Sequence, residues 1–298
     1  MARLFEPAAV LSVRAGLEVS LHAFPSHVAA PRPASTLPMT LNHIRRGTGT
    51  PLLLIHGLGG HWESWETILD DLAAEREVVA VDLPGFGQTP PLRGEATFEA
   101  LTDAVEAFLE AEGLRGVDAV GTSMGARMVL ELARRKAVGR VVALDPGGFW
   151  NVPERAFFGA TVGASIQLLR ALRDRLPALL ATTAGRTALL AQFSAHPARL
   201  PVDVVTKELQ SFADSPSSLP ALKSLVTGPG QEGMPASAQP GSILIVWGRQ
   251  DRVCLPHQAR RAMNRFPGAT LAWLDDCGHL PHWDQPEKTL RLILGHTG

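Results

Sequence analysis

A chain of 298 residues with 45% apolar and 19% charged side chains has the means to bury a sizeable core, which excludes a disordered or fibrous protein. Its formal net charge of −1, without any long basic or acidic run, argues against a nucleic-acid surface, which needs a clustered positive field. No apolar run approaches the roughly 18 residues of a membrane span. Two cysteines, Cys254 and Cys277, make no disulfide framework and lack metal-ligand spacing, so they read as small buried residues and no metal is expected.

In chain order, the N-terminal "MARLFEPAAVLSVRAGLEVSLHAF" has a short apolar stretch interrupted by Glu6, Pro7 and Arg14. That makes a poor signal peptide, and a reducing, cytoplasmic location is the expectation. Residues 25–38, "PSHVAAPRPASTLP", are rich in Pro, Ala and Ser without periodicity. Residues 1–38 therefore read as an N-terminal extension or arm.

From residue 51 the pattern alternates. "LLLIHG" (52–57), "VVAVD" (78–82), "VDAVGTS" (117–123), "VVALD" (141–145), "ILIVWG" (243–248) and "LAWLD" (271–275) are continuous apolar runs rich in β-branched residues. Strands that are apolar on both faces belong to a parallel sheet covered on both sides. Between them, "TFEALTDAVEAFLEAEG" repeats Phe98, Leu101, Val105, Phe108 and Leu109 at three- and four-residue steps before Gly113, an amphipathic helix with its stop. Strand–helix alternation predicts an α/β fold with a mostly parallel, doubly wound sheet.

Residues 150–228 break the rhythm. They carry helical patterns such as "SIQLLRALRDRL" and "VDVVTKELQSF", divided by prolines, and no convincing strand. They are expected to form an inserted helical cap between two parts of an α/β core, 39–149 and 229–298.

The chemistry gathers where ligands bind in such sheets, beyond the C-terminal strand ends. "VGTSMGA" (120–126) puts Ser123 between a strand and the helical stretch "MGARMVLELARRK". Gly121 and Gly125 suit a sharp turn that brings backbones close. A serine hydroxyl is a poor nucleophile unless a base, itself oriented by a third group, activates it. His279 in "DDCGHLPHWDQPE" and Asp251 in "WGRQDRV" follow the last two strands. The chain order Ser123, Asp251, His279 resembles the α/β-hydrolase superfamily over about residues 40–295.

That resemblance implies Ser123 as nucleophile, His279 as base and Asp251 as the acid that orients it. It also implies that "HGLGG" (56–60) is the oxyanion loop, with the backbone N–H groups of Leu58 and Met124 cradling the oxyanion. Asp145, also at a strand end, occupies an alternative acid position known in some relatives; "WGRQDRV" favours Asp251. His56 reads as a shaper of the oxyanion loop and Asp82 as a structural turn residue. His282 reads as an exposed or lid-facing residue, and His61, His196 and His257 as surface or core. Trp150, where sheet gives way to cap, is the candidate substrate-pocket aromatic. Arg127, four residues past the nucleophile, has no account in the sequence.

A serine in the elbow and the absence of tyrosine disfavour the dehalogenase- and epoxide-hydrolase-like branches. The reading is a cofactor-free serine hydrolase acting on small-to-medium carboxylic esters. The alternative is carbon–carbon hydrolysis of meta-cleavage-product type, which "WGRQDRV" and "DDCGH" resemble, although Leu58-Gly59-Gly60 and Leu280 depart from that pattern. A ligand-binding, receptor-like member is the third. The expected partner is a small-molecule ester; oligomeric state is not legible.

Overall fold

The structure, a computed structural model, describes residues 40–298; the arm expected over residues 1–38 lies outside them. Strand β1 (His43–Arg46) leads to β2 (Pro51–Ile55), α1 (Glu66–Glu75) and β3 (Glu77–Val81). Then come α2 (Phe98–Ala111), β4 (Asp118–Thr122), α3 (Met124–Arg134) and β5 (Val141–Leu144). The sheet resumes with β6 (Ile243–Gly248), after five helices given below. All seven strands lie in one sheet in the order β1-β3-β2-β4-β5-β6-β7, the last being β7 (Thr270–Leu274). Every pairing is parallel except β1 with β3.

The uninterrupted apolar runs follow from this layering. Successive side chains leave opposite faces of a strand. Leu53, Ile55, Val79, Val81, Ala143 and Ile245 feed one core with α2 and α3. Their neighbours Leu52, Leu54, Val78, Ala80, Leu144 and Val246 feed the other, against Ile68, Leu69 and Leu72 of α1. The predicted α2 stripe is the face it buries: Phe98, Leu101, Val105, Phe108 and Leu109. Thr97 caps that helix by accepting from the Ala100 N–H at 3.1 Å, satisfying a donor that would otherwise be orphaned.

Strand β1 escapes the sequence reading. "HIRR" is four residues long with two arginines on the outer end, the short, charged form that edge strands take to resist further pairing.

Between β5 and β6 the chain forms α4 (Val152–Leu172), α5 (Leu176–Leu180), α6 (Thr183–Leu190), α7 (Val202–Asp214) and α8 (Ser218–Thr227). Among the described residues no strand interrupts them. The prolines start helices rather than break them: Pro177 sits in the first turn of α5 and Pro201 is the N-cap of α7, positions where the missing N–H costs nothing. Asn151 opens α4 through a capping box with Glu154. Ile166 and Leu169 of α4 and Val205, Leu209 and Phe212 of α7 are buried together in the same core as α3.

After β6 come α9 (Ala259–Arg265), β7, α10 (Pro281–Asp284) and α11 (Pro286–Thr297). Among the described residues no helix is long and apolar enough to cross a membrane.

Candidate active site

Ser123 occupies the single residue between β4 and α3 with φ 54° and ψ −112°. A positive φ at a residue with a Cβ is strained, and such strain persists only where the surroundings impose it. The flanking glycines impose it. A Cβ on Gly121 would lie 2.2 Å from the Gly125 carbonyl oxygen, and one on Gly125 would lie 2.2 Å from that of Ile55. The elbow is thus pressed onto itself and onto β2, leaving the Ser123 side chain facing a cavity.

His279 Nε2 lies 2.8 Å from Ser123 Oγ, and its Nδ1 lies 2.9 Å from Asp251 Oδ2. The structure therefore brings the three residues singled out in the sequence into one line. Asp251 is itself fixed: its Oδ1 accepts the N–H groups of Val253 (2.7 Å) and Cys254 (3.0 Å). Its side chain is fully buried, and that of His279 is 4% exposed. The His279 loop is held from below and above. The Gly278 N–H donates to Asp284 Oδ2 at 2.7 Å, and the His279 N–H donates to the Phe193 carbonyl at 2.8 Å.

Asp145, the rival acid, is also fully buried. Its Oδ1 accepts the Gly248 N–H at 2.8 Å, so it braces the end of β6 instead of His279. Burial and the neighbouring Asp251 charge push its carboxyl well above the usual range. A carboxyl enclosed beside a second carboxyl is disfavoured in its charged form.

The loop expected to hold the oxyanion follows β2. His56 contacts the Gly57 carbonyl through Nδ1 (2.7 Å) and accepts the Leu83 N–H on Nε2 (3.0 Å). Burial lowers its pKa, consistent with a neutral bracket rather than a proton carrier. Asp82 ties the neighbouring turn together, accepting from the N–H groups of Trp62 and Gln88. Leu58 and Met124 both border the cavity at Ser123, and Met124 is the first residue of α3, where the helix dipole favours negative charge.

The cavity leaves about 50 Å³ of free room. Its walls are mostly apolar: Trp150 stacks on Phe158 (ring centroids 4.6 Å apart), and Phe193 meets Phe212 edge-on. One corner is polar, made of Ser64, Glu208 and His282. The Ser64 hydroxyl donates to Glu208 Oε2 at 2.6 Å, and His61 Nδ1 stands 3.5 Å from the same oxygen. Burial pushes the Glu208 carboxyl up, but His61 and Ser64 outweigh it and hold the pKa below its ordinary value. Burial opposes charge on His61, yet Glu208, Glu63 and Asp82 together raise its pKa. Burial lowers His282 to about 4. Of the two expectations for His282, solvent exposure gives way: it is 1% exposed, with its ring centroid 4.8 Å from that of Trp65, and it lines the cavity together with Glu208 of α7.

Glu208, Ser64, Phe193 and Asp284 carry no motif, so sequence reasoning had no signal for them. Arg127 now has an account. Its guanidinium lies 3.9 Å from the Phe98 ring centroid and donates to the Pro229 carbonyl at 2.8 Å. It pins the segment returning from α8 against α2 and α3, and burial lowers its pKa to about 10.

Among the described residues one group of possible metal donors converges, Asp251, Cys254 and His279, with ligand atoms within 4.8 Å of one another. The two triad members are engaged with each other, and burial holds the Cys254 thiol well above its usual pKa. A neutral thiol is a poor ligand.

Comparison with known proteins places this geometry. The model of the alpha/beta hydrolase family matches residues 52–292. The chain is 29% identical to a dihydrolipoyllysine-residue acetyltransferase component of the acetoin cleaving system from Cupriavidus necator, over 87% of this chain and 66% of that protein. It therefore spans slightly less than two thirds of that relative's length. It is 26% identical to a 2-hydroxy-6-oxononadienedioate/2-hydroxy-6-oxononatrienedioate hydrolase from Dechloromonas aromatica, over 87% of this chain and 90% of that one. A thermophilic esterase from Thermogutta terrifontis superposes with a TM-score of 0.66 at 21% identity, covering 86% of this chain and 92% of that one. On the extent of the family match, the chain belongs to the alpha/beta hydrolase family.

Proposed function

We propose that the chain is a serine hydrolase that cleaves carboxylic esters with short acyl groups through an acyl-enzyme. The observation carrying this reading is the unbroken hydrogen-bonded line from Asp251 through His279 to Ser123, ending at a strained turn that borders a cavity.

In this reading His279 Nε2 takes the Ser123 proton as Oγ bonds to the ester carbonyl carbon. The oxyanion is met by the backbone N–H groups of Leu58 and Met124, each worth about 10²–10³ in rate. His279 returns the proton to the departing alcohol. Water then repeats the sequence on the acyl-serine and releases the carboxylic acid. Asp251 keeps the Nδ1 proton in place, so that Nε2 is the free base, and stabilises the imidazolium. Side chains and backbone handle each of these steps, so no cofactor enters the scheme.

Residues 150–228 act as the cap, and Trp150 as a wall of the substrate pocket. The cavity is confined and its walls are mostly apolar. This favours short acyl groups and requires the cap helices to yield for larger ones.

Carbon–carbon hydrolysis is the second reading, favoured by the similarity to the nonadienedioate hydrolase. A dioate brings two carboxylates. The described residues lining the cavity include no lysine or arginine, whereas Glu208 is among them, so charge weighs against that substrate. A receptor-like binding protein is the third reading and predicts no serine-dependent turnover.

The test is hydrolysis of p-nitrophenyl esters from acetate to dodecanoate by wild type and Ser123→Ala, beside a chromogenic dienoate. Ser123-dependent activity that peaks by butyrate supports the ester reading. Flat ester rates with loss of dienoate colour transfer the assignment to carbon–carbon hydrolysis, and flat rates on both to binding.

A further inference from the structure

The polar corner of the cavity is not needed for the acyl-transfer scheme, yet it lies in the same cavity as Ser123. The Ser64 hydroxyl spends its hydrogen on Glu208 Oε2 and accepts the His61 N–H at 3.0 Å. Glu208 has a second oxygen, Oε1, on the side of Gly60, where an added Cβ would come within 3.1 Å of it, and that oxygen takes no hydrogen bond from the described residues. His282 lines the same cavity, with its Nδ1 enclosed and the Ser64 backbone beside the ring. Buried polar atoms in native proteins are paired almost without exception, so a free carboxylate oxygen on a cavity-lining residue points to a ligand.

Charge narrows the ligand further. His61 stands between two carboxylates, Glu63 Oε2 at 3.0 Å and Glu208 Oε2 at 3.5 Å, and they raise its pKa. The Glu208 charge therefore has a local counter-ion. A carboxylate on the ligand would meet Glu208 with no lysine or arginine among the described lining residues to offset it. An uncharged donor avoids that repulsion.

We infer that Ser64, Glu208 and His282 form a subsite for an uncharged hydroxyl group of the substrate, which makes the preferred substrates short hydroxy esters. This rests on the ester reading above and deepens it. The hydroxyl donates to Glu208 or His282, and the remaining apolar wall takes the carbon chain. Glu208 and His282 are thus specificity determinants; the reaction itself stays with Ser123, His279 and Asp251.

The experiment measures kcat/KM by pH-stat for methyl butyrate, methyl 2-hydroxybutyrate, methyl 3-hydroxybutyrate, 2-hydroxyethyl butyrate and monomethyl succinate, with Ser123→Ala as background. In wild type at least one hydroxyl isomer should exceed methyl butyrate by about tenfold, the size of one well-made hydrogen bond. Monomethyl succinate should fall below methyl butyrate by a similar factor. Glu208→Leu and His282→Phe should each bring the hydroxyl preference down towards one, while Glu208→Gln retains part of it and relieves the discrimination against succinate. Because the preference is a ratio within one variant, a general loss of activity leaves it readable. His282→Phe keeps an aromatic ring against Trp65 and gives the answer if Glu208→Leu does not fold. A wild-type preference near one for every isomer, or a preference that survives in both Glu208→Leu and His282→Phe, overturns the subsite alone. Absence of Ser123-dependent methyl butyrate turnover overturns the ester reading and the subsite with it.

Discussion

Ser123, Asp251 and His279 stand on loops at the ends of β4, β6 and β7, and each is set by main-chain bonds. The Ser123 N–H donates to the Leu144 carbonyl, the Asp251 N–H to that of Gly248 and the His279 N–H to that of Phe193. Trp150, Phe158, Leu209 and Phe212 face the same cavity from the other side, and they meet it through apolar side chains. The first region can tolerate little displacement, since the line of hydrogen bonds runs at 2.8–2.9 Å. The second can repack at modest cost, because volume-conserving apolar changes typically cost under about 1.5 kcal/mol. Under the proposed function, chemistry and selection fall to different parts of the molecule, and mutations should separate them.

The sharpest way to break this division is at the C-terminal ends of the strands. Ser123→Ala or His279→Ala should lower kcat on p-nitrophenyl butyrate by about 10⁴–10⁶, with circular dichroism unchanged. Asp251→Asn should cost on the order of 10⁴. Asp145→Asn should cost less than about tenfold, because the carboxyl accepts the Gly248 N–H rather than bonding His279, and an amide oxygen of the same shape retains that bond. A large loss in Asp145→Asn beside a small one in Asp251→Asn would reverse the assignment of the acid.

On the cap side the effects should be smaller and of another kind. Trp150→Ala removes a wall stacked on Phe158. It should raise KM for butyrate by about tenfold with little change in kcat, the pattern of lost uniform binding, and extend activity to longer acyl chains. A fall in kcat with KM unchanged would place Trp150 in the chemistry.

The smallest effect concerns the His61–Glu208 pair, where α7 meets the loop after β2. His61 has a raised pKa when folded, so its contribution is full below the ordinary imidazole value of about 6.5 and is lost as pH rises through the raised value. Glu208 has a lowered pKa and stays charged across that window. His61→Gln should therefore lower Tm more at pH 6 than at pH 9, by on the order of 2–4 °C if the pair is worth about 1 kcal/mol. An equal loss at both pH values would mean that the ring stabilises by packing alone.

The same contrast explains what the sequence disclosed. The elbow was legible because its glycines answer a backbone necessity: neither Gly121 nor Gly125 has room for a Cβ, so the spelling around Ser123 is forced. The strands were legible because both faces are buried. Strand β1 was not, since an edge strand of four residues needs no apolar pattern. Glu208 and Ser64 were not either, because residues 144 positions apart meet only through the docking of α7. Solvent exposure was the wrong alternative for His282: its ring is buried against Trp65, a long-range fact that no local pattern encodes. Arg127 gained its reason only from Phe98 and Pro229, brought to it from distant positions.

The central claim is a covalent acyl-serine at Ser123. The most direct measurement mixes enzyme and p-nitrophenyl butyrate in stopped flow, quenches with acid, and reads the intact mass and its peptide map. The account predicts a burst of p-nitrophenol of one equivalent per active chain, with a butyryl adduct on the peptide bearing Ser123. Steady turnover without burst or adduct, persisting in Ser123→Ala, would contradict it.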